Sequence, residues 1–268
     1  MNRFIFFCFI LLFFTEIYSQ DTLVFKAPYI QYQDTTVVFK PSHYNNNRKY
    51  PMLILLHGHS ANYEQWNFLT RLQHYANIDS FVIVCPDGFY NSWYFDSPVN
   101  PKSQFETFFY KDLIPNIFSK YNIDTTNIFI SGLSMGGSGA MYLFLKNPKF
   151  FKSAGSTSGV MDLTPFPANW EVKNYLGDYY NNKSVWENHS AINLLKNIRG
   201  KNRPIIVDCG LDDFSLQVNK NFVNRCKEMG VDVTFISGSG NHNAYYWAKS
   251  ILWHFDFFHK LVWQKVER

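Results

Sequence analysis

The chain has 268 residues, 46% of them hydrophobic, with 25 Lys and Arg against 21 Asp and Glu. That length gives one large domain a substantial core. A net charge of +4 without a Lys/Arg cluster carries no electrostatic footprint for nucleic acid, so phosphate-backbone partners are excluded.

Residues 1–19 place Arg3 ahead of the apolar run Phe4 to Phe14 and then Ile17-Tyr18-Ser19, the layout of a secretory signal peptide. The run is too short to span a bilayer, so a secreted or periplasmic protein with no stable membrane span is expected. Residues 20–268 show no linker, charge block or internal repeat and read as a single domain. Beyond the leader, Cys85, Cys209 and Cys226 form an odd set with no metal or disulfide-framework spacing. Cys85 and Cys209 read as small buried hydrophobes; whether they pair with each other stays open at this level.

In chain order, short apolar runs bounded by turn residues predict strands at Val37–Phe39, Met52–Leu56, Phe81–Cys85, Ile128–Ser131, Ile205–Cys209 and Val233–Ile236. Segments of helical period lie between most of them: Thr107–Tyr121, Ser138–Lys146, Ser190–Asn197, Leu216–Met229 and Ala244–His259. Pro115 should kink the first of these or mark its last turn. Alternating strands and helices predict an α/β fold, a mostly parallel central sheet with helices on both faces. Residues 162–187 carry Pro165, Pro167, Trp170 and several tyrosines that break any period. They read as an excursion over the sheet's upper edge, either a lid or pocket wall or an ordinary packed loop.

Gly132-Leu133-Ser134-Met135-Gly136-Gly137 follows the strand ending at Ser131 and precedes a helix. This is the setting of a nucleophile elbow, in which a strained strand-to-helix turn presents a serine at the sheet's carboxyl edge. A serine there needs an imidazole to take its proton, and in this fold an acid and then a histidine arrive from later strand ends. Asp212 and Asp213 follow one such strand, and His242, in Ser237-Gly238-Ser239-Gly240-Asn241-His242, follows the next. Spacing alone leaves both aspartates open. Asp208 reads as a buried strand residue, and His254 and His259, inside the last helix, as surface or core. The oxyanion formed on attack needs two backbone donors, for which Met135 N–H and His59 N–H are placed, the latter in Leu55-Leu56-His57-Gly58-His59. His57 and His59 have no third ligand at a plausible spacing, so no metal and no cofactor are expected.

From Tyr50 to Trp247 these motifs resemble the family known as "Putative esterase", α/β-hydrolases that include esterase D (S-formylglutathione hydrolase), tributyrin and feruloyl esterases, and mycolyltransferases of the antigen 85 type. The resemblance rests on Tyr50 to Gly58 with Trp66, Pro86-Asp87-Gly88 followed by Ser92-Trp93-Tyr94, Phe105-Glu106-Thr107-Phe108, Gly132 to Gly137, and Asn147-Pro148. It implies a Gly-x-x-Asp acid, which selects Asp213, and a histidine ahead of a Tyr-Trp pair, here His242 before Tyr246-Trp247. Asn243 and Ala244 depart from the acidic residue and tryptophan common in the family.

The expected function is therefore a secreted serine carboxylesterase with the triad Ser134, Asp213 and His242, hydrolysing an acyl ester such as acetyl or feruloyl groups on carbohydrate. Trp66, Trp93 and Trp247 are its candidate substrate-binding rings. An acyltransferase passing the acyl group to a sugar hydroxyl and a non-catalytic binding module on the same fold are the competing readings. The expected partner is a small-molecule or carbohydrate-linked ester; oligomeric state is not legible.

Overall fold

Strands β3 (Tyr50–Leu56), β4 (Val82–Cys85), β5 (Ile123–Gly132), β6 (Ser153–Thr157), β7 (Ile205–Gly210) and β8 (Val233–Gly238) run parallel in the computed structural model, which describes residues 20–263. The signal peptide expected at 1–19 lies outside the described residues. Two more strands, β1 (Gln20–Phe25) and β2 (Asp34–Phe39), close one side antiparallel, giving the order β1-β2-β4-β3-β5-β6-β7-β8. All seven residues of β3 are buried. Met52, Ile54 and Leu56 enter one hydrophobic cluster, Leu53 and Leu55 the other. That alternation is the period-2 pleat between two helical layers, as the continuous apolar run predicts.

Order reverses about β3, with β4 on one side and β5 on the other. At such a switch point the loops leaving the carboxyl ends diverge and open a crevice. The turn bearing His57 to His59 and the Ser134 elbow both leave strands at this point.

The predicted helices are present with shifted ends: α3 (Phe105–Phe108) runs through a π-helical stretch at Phe109–Leu113 into α4 (Ile114–Lys120). Pro115 sits in the first turn of α4 and not in a last turn, directly after the π-helical stretch, where it brings no N–H to the continuing ladder. Then come α5 (Met135–Lys146), α8 (Ala191–Leu194) continued by a 3-10 turn, α9 (Leu216–Met229) and α10 (Ala244–Trp263). The short helices α1 (Gln65–Leu69) and α2 (Leu72–Asp79) escape a periodicity reading, as do α6 (Lys173–Leu176) and α7 (Lys183–His189) of the excursion. That excursion is packed: Leu163, Val172, Leu176 and Trp186 are buried in the main core, and Trp186 Nε1 donates to Gly177 O at 3.0 Å. Cys85, Cys209 and Cys226 are buried free thiols. Cys85 on β4 and Cys209 on β7 have three strands between them, too far apart for a disulfide, so the pairing left open above does not form.

Asp34 begins β2 with no exposed surface. Its Oδ1 accepts from Thr36 Oγ1 at 2.7 Å, while its Oδ2 has no partner among the described residues. Burial pushes this carboxyl up to about 8 from 3.8; Thr36 opposes the rise, and the nearby charge of Asp87 adds to it. The folded state thus holds a proton that the unfolded chain releases above 3.8. Stability from this group is complete below that value and declines as pH climbs to about 8. The loss at pH 7 amounts to roughly 4 kcal/mol at most. Asp34→Asn keeps the neutral shape and is expected to match the wild type at pH 4 and exceed it by about 2 to 4 kcal/mol at pH 8. Urea denaturation of both proteins across that range measures the difference.

Candidate active site

Ser134 stands between β5 and α5 with φ 52° and ψ −118°, a backbone region that non-glycine residues rarely occupy. Its surroundings hold it there. The Ser134 N–H donates to Thr157 O at 2.9 Å, Leu133 N–H to Leu56 O at 3.3 Å and Gly136 N–H to Leu133 O at 2.7 Å. A Cβ on Gly136 would lie 2.2 Å from Leu56 O and one on Gly132 2.3 Å from Gly136 O, so backbone occupies the space a side chain would need. The elbow is wedged between the ends of β3 and β6.

His242, in the loop after β8, places Nε2 2.9 Å from Ser134 Oγ. Its Nδ1 lies 3.0 Å from both oxygens of Asp213. A carboxylate only accepts, so Nδ1 carries the proton and Nε2 offers its lone pair to the serine hydroxyl. Asp213 follows β7, and its Oδ1 also accepts from the N–H and the hydroxyl of Ser215, each at 2.8 Å. Burial raises the Asp213 carboxyl, but the hydrogen bond and charge of His242, with Ser215, outweigh it and hold the group below its ordinary value. Asp212 is exposed and hydrogen-bonds by its backbone to Gly240 O.

The turn after β3 is locked by a single histidine tautomer. Gly88 N–H donates to His57 Nε2 at 2.7 Å, so Nδ1 is the protonated nitrogen and donates to Gly58 O at 2.7 Å. Tyr94 OH donates to His57 O at 2.8 Å, and Gly58 N–H donates to Gln65 Oε1 at 2.8 Å. Among the described residues no protein acceptor takes the N–H of His59 or of Met135, the two donors expected to face an oxyanion. The His59 imidazole packs edge-on against Tyr90 at 4.9 Å, and burial lowers its pKa with Glu171 opposing. It is neutral at physiological pH. Among the described residues no group of three or more His, Cys, Asp or Glu is placed to hold a metal.

Of the three candidate rings, only Trp247 meets the site, its ring perpendicular to His242 at 5.0 Å. Trp66 is 1% exposed and spends its Nε1 on Leu56 O at 2.9 Å, and Trp93, also 1% exposed, packs against Phe95 and Trp170. Both are core residues with no face for a substrate, which corrects the expectation. Phe214 takes the place expected of them: its ring lies 4.4 Å from His242 and 5.3 Å from Trp170. Its position directly after Asp213 was the available signal. The departure at Asn243 also has a local reason, since its Oδ1 accepts Tyr246 N–H at 3.0 Å and caps α10.

Behind the elbow, His254 of α10 bridges Ser131 Oγ (2.7 Å from Nδ1) and Asp208 Oδ2 (2.6 Å from Nε2), and Thr157 Oγ1 donates to the same Asp208 oxygen at 2.6 Å. Ser131, Thr157, Asp208 and His254 are wholly buried. The group ties β5, β6, β7 and α10 together under the carbonyl of Thr157, which holds the Ser134 N–H. The reading of Asp208 as a buried strand residue agrees with this placement.

The "Putative esterase" family matches residues 30–262. An acetyl esterase of Caldicellulosiruptor saccharolyticus is 28% identical over 223 residues, 78% of this chain and 83% of that protein. An S-formylglutathione hydrolase of Rattus norvegicus is 25% identical over 228 residues, 76% of this chain and 80% of that protein. Among solved structures, a ferulic acid esterase superimposes with a TM-score of 0.76 at 26% identity, covering 90% of this chain and 97% of that one. With a family match spanning nearly the whole described sheet and the elbow at its switch point, this chain belongs to the "Putative esterase" family of α/β-hydrolases.

Proposed function

We propose that the protein is a secreted serine carboxylesterase, with Ser134 as nucleophile, His242 as general base and acid, and Asp213 as the carboxylate that orients it. The observation that carries this is the unbroken chain from Ser134 Oγ to His242 Nε2 at 2.9 Å and from His242 Nδ1 to Asp213 at 3.0 Å. In the first half-reaction Ser134 Oγ attacks the ester carbonyl while its proton passes to His242 Nε2. The negative oxygen is received by the His59 and Met135 N–H groups. The intermediate collapses as His242 returns the proton to the departing alcohol, leaving an acyl group on Ser134. Water, deprotonated by His242, then attacks that acyl carbon, and the acid leaves as Ser134 recovers its proton.

The acyl groups proposed are acetyl and feruloyl, borne on carbohydrate. The rings of Phe214, Trp170 and Trp247 around His242 suit a flat phenolic acyl group, and the two relatives that name those acids in their own substrates are among the similar proteins. Residues 1–19 have the composition of a secretory leader, which supports an extracellular or periplasmic site of action. No helix among the described residues is long and apolar enough to cross a membrane.

A fluorophosphonate probe is expected to label the folded protein once, at Ser134, with mass spectrometry locating the adduct. In a panel of acetyl, butyryl, feruloyl and long-chain esters, acetyl and feruloyl substrates should turn over fastest. A folded protein that stays unlabelled and inert on the panel overturns the reading.

A further inference from the structure

Beside the oxyanion turn lies a cleft of about 250 Å³ that the proposed chemistry does not use. It is below the size of most drug-sized pockets, ~300–1,000 Å³, and fits one ring-sized unit. Tyr32 and Tyr90 line it with 62% and 58% of their surface exposed, and Phe89 stands 6.2 Å from the Tyr32 ring. Aromatic rings left open at a concave surface mark a binding position rather than incomplete packing. Gln31, Asn91, Asn100 and Ser103 also line it. Flat apolar faces interleaved with amides and hydroxyls suit a ligand that is itself apolar on its faces and hydroxylated at its edges.

Charge narrows the ligand further. Lys102 is the cation of the lining, and its Nζ is turned to Pro28 O at 2.6 Å. Asn91, also of the lining, donates from Nδ2 to Glu171 Oε2 at 2.5 Å, and Tyr175 OH donates to Asn91 Oδ1. The cation is spent on a carbonyl and the nearby carboxylate on an amide, which favours a neutral ligand. The cleft also shares a wall with the site. Tyr90 packs its ring on His59 and accepts the Ser60 N–H at its carbonyl, 2.8 Å away.

We propose that this cleft is a subsite for a neutral pyranose unit of the carbohydrate that carries the ester, with Tyr32 and Tyr90 as its stacking platform. Its part in turnover rests on the esterase reading, but its affinity for sugar does not.

The test separates the two. Ser134→Ala protein is titrated with xylohexaose, cellohexaose and maltohexaose, with hexagalacturonate as the anionic control, by calorimetry and by amide chemical-shift mapping. At least one neutral hexamer should bind saturably, shift residues of the 29–32 and 89–103 segments, and bind more tightly than the control. Adding Tyr32→Ala should weaken that binding about tenfold, and Tyr32→Phe, which keeps the ring, should preserve it. So exposed a tyrosine can be truncated without loss of the fold. In the active enzyme Tyr32→Ala should leave kcat/KM on p-nitrophenyl acetate within twofold and raise KM on an acetylated oligosaccharide. Absence of saturable binding by any neutral hexamer, tighter binding of the control, or binding indifferent to Tyr32→Ala overturns the proposal. Failure of ester turnover with sugar binding intact overturns the esterase reading instead.

Discussion

Ser134→Ala is expected to reduce kcat on the best ester substrate by roughly 10⁴- to 10⁶-fold, equivalent to about 5.5 to 8 kcal/mol of transition-state stabilisation. The size follows from the loss of a whole pathway. Without Oγ no acyl-enzyme forms, and only the His59 and Met135 donors and ordinary binding remain to assist attack by water. KM should change little, because the hydroxyl contributes to the reacting centre and not to holding the substrate. Stability should move by less than about 1 kcal/mol, since alanine meets the same strain at φ 52° that serine does. Steady-state kinetics paired with thermal melts separates this outcome from a folding defect. A variant that melts normally and retains a tenth of the activity would remove Ser134 from the mechanism.

Asp208→Ala should be the most damaging change away from the reacting atoms, destabilising the protein by about 3 to 5 kcal/mol. It takes the acceptor from both His254 Nε2 and Thr157 Oγ1 in a region with no exposed surface; the imidazole N–H is left dry, and the threonine hydroxyl keeps only Ser250 Oγ at 3.1 Å. Asp208→Asn retains an acceptor oxygen and should lose much less, about 1 to 2 kcal/mol. Urea denaturation resolves the two. Near-equal losses would mean that the carboxylate's charge, which both changes remove, sets the effect, and not its acceptor oxygens or its volume. Where Asp208→Ala remains folded, kcat should still fall, because Thr157 O positions the Ser134 N–H.

The sheet's centre was legible because β3, β4, β5 and β7 carry the apolar runs that burial on both faces requires. Strand β6 was not. Its residues, Ser153-Ala154-Gly155-Ser156-Thr157, lack strand propensity, and the structure shows why they are small: a Cβ on Gly155 would fall 2.4 Å from His254 Nδ1. Close approach of α10 chose that composition, overriding the local preference. Strand β1 alternates exposed and half-buried residues and carries Gln, Asp and Thr at its start, so no apolar run announces it.

The same division holds at the site. The order of serine, acid and histidine along the chain is a property of connectivity, and the sequence displays connectivity directly. The aim of a ring is decided by partners remote in sequence. Trp66 turns inward because Leu56 O is there to accept its N–H, whereas Trp247, one turn into α10, is delivered to His242 by the helix itself.

The buried group around His254 bears on how such proteins are recognised. Ser131, His254 and Asp208 are a second serine–imidazole–carboxylate relay within hydrogen-bonding distance, and a search by residue type and separation would return both relays. The two imidazoles are reversed, with Nδ1 rather than Nε2 towards the serine in the hidden one. That orientation is irrelevant to reactivity where no carbonyl can arrive. What distinguishes the two is reach: His242 keeps 18% of its side chain open and His254 none. The two arrangements are alike in residue type, and the opening to solvent singles out Ser134 for the proposed acyl chemistry.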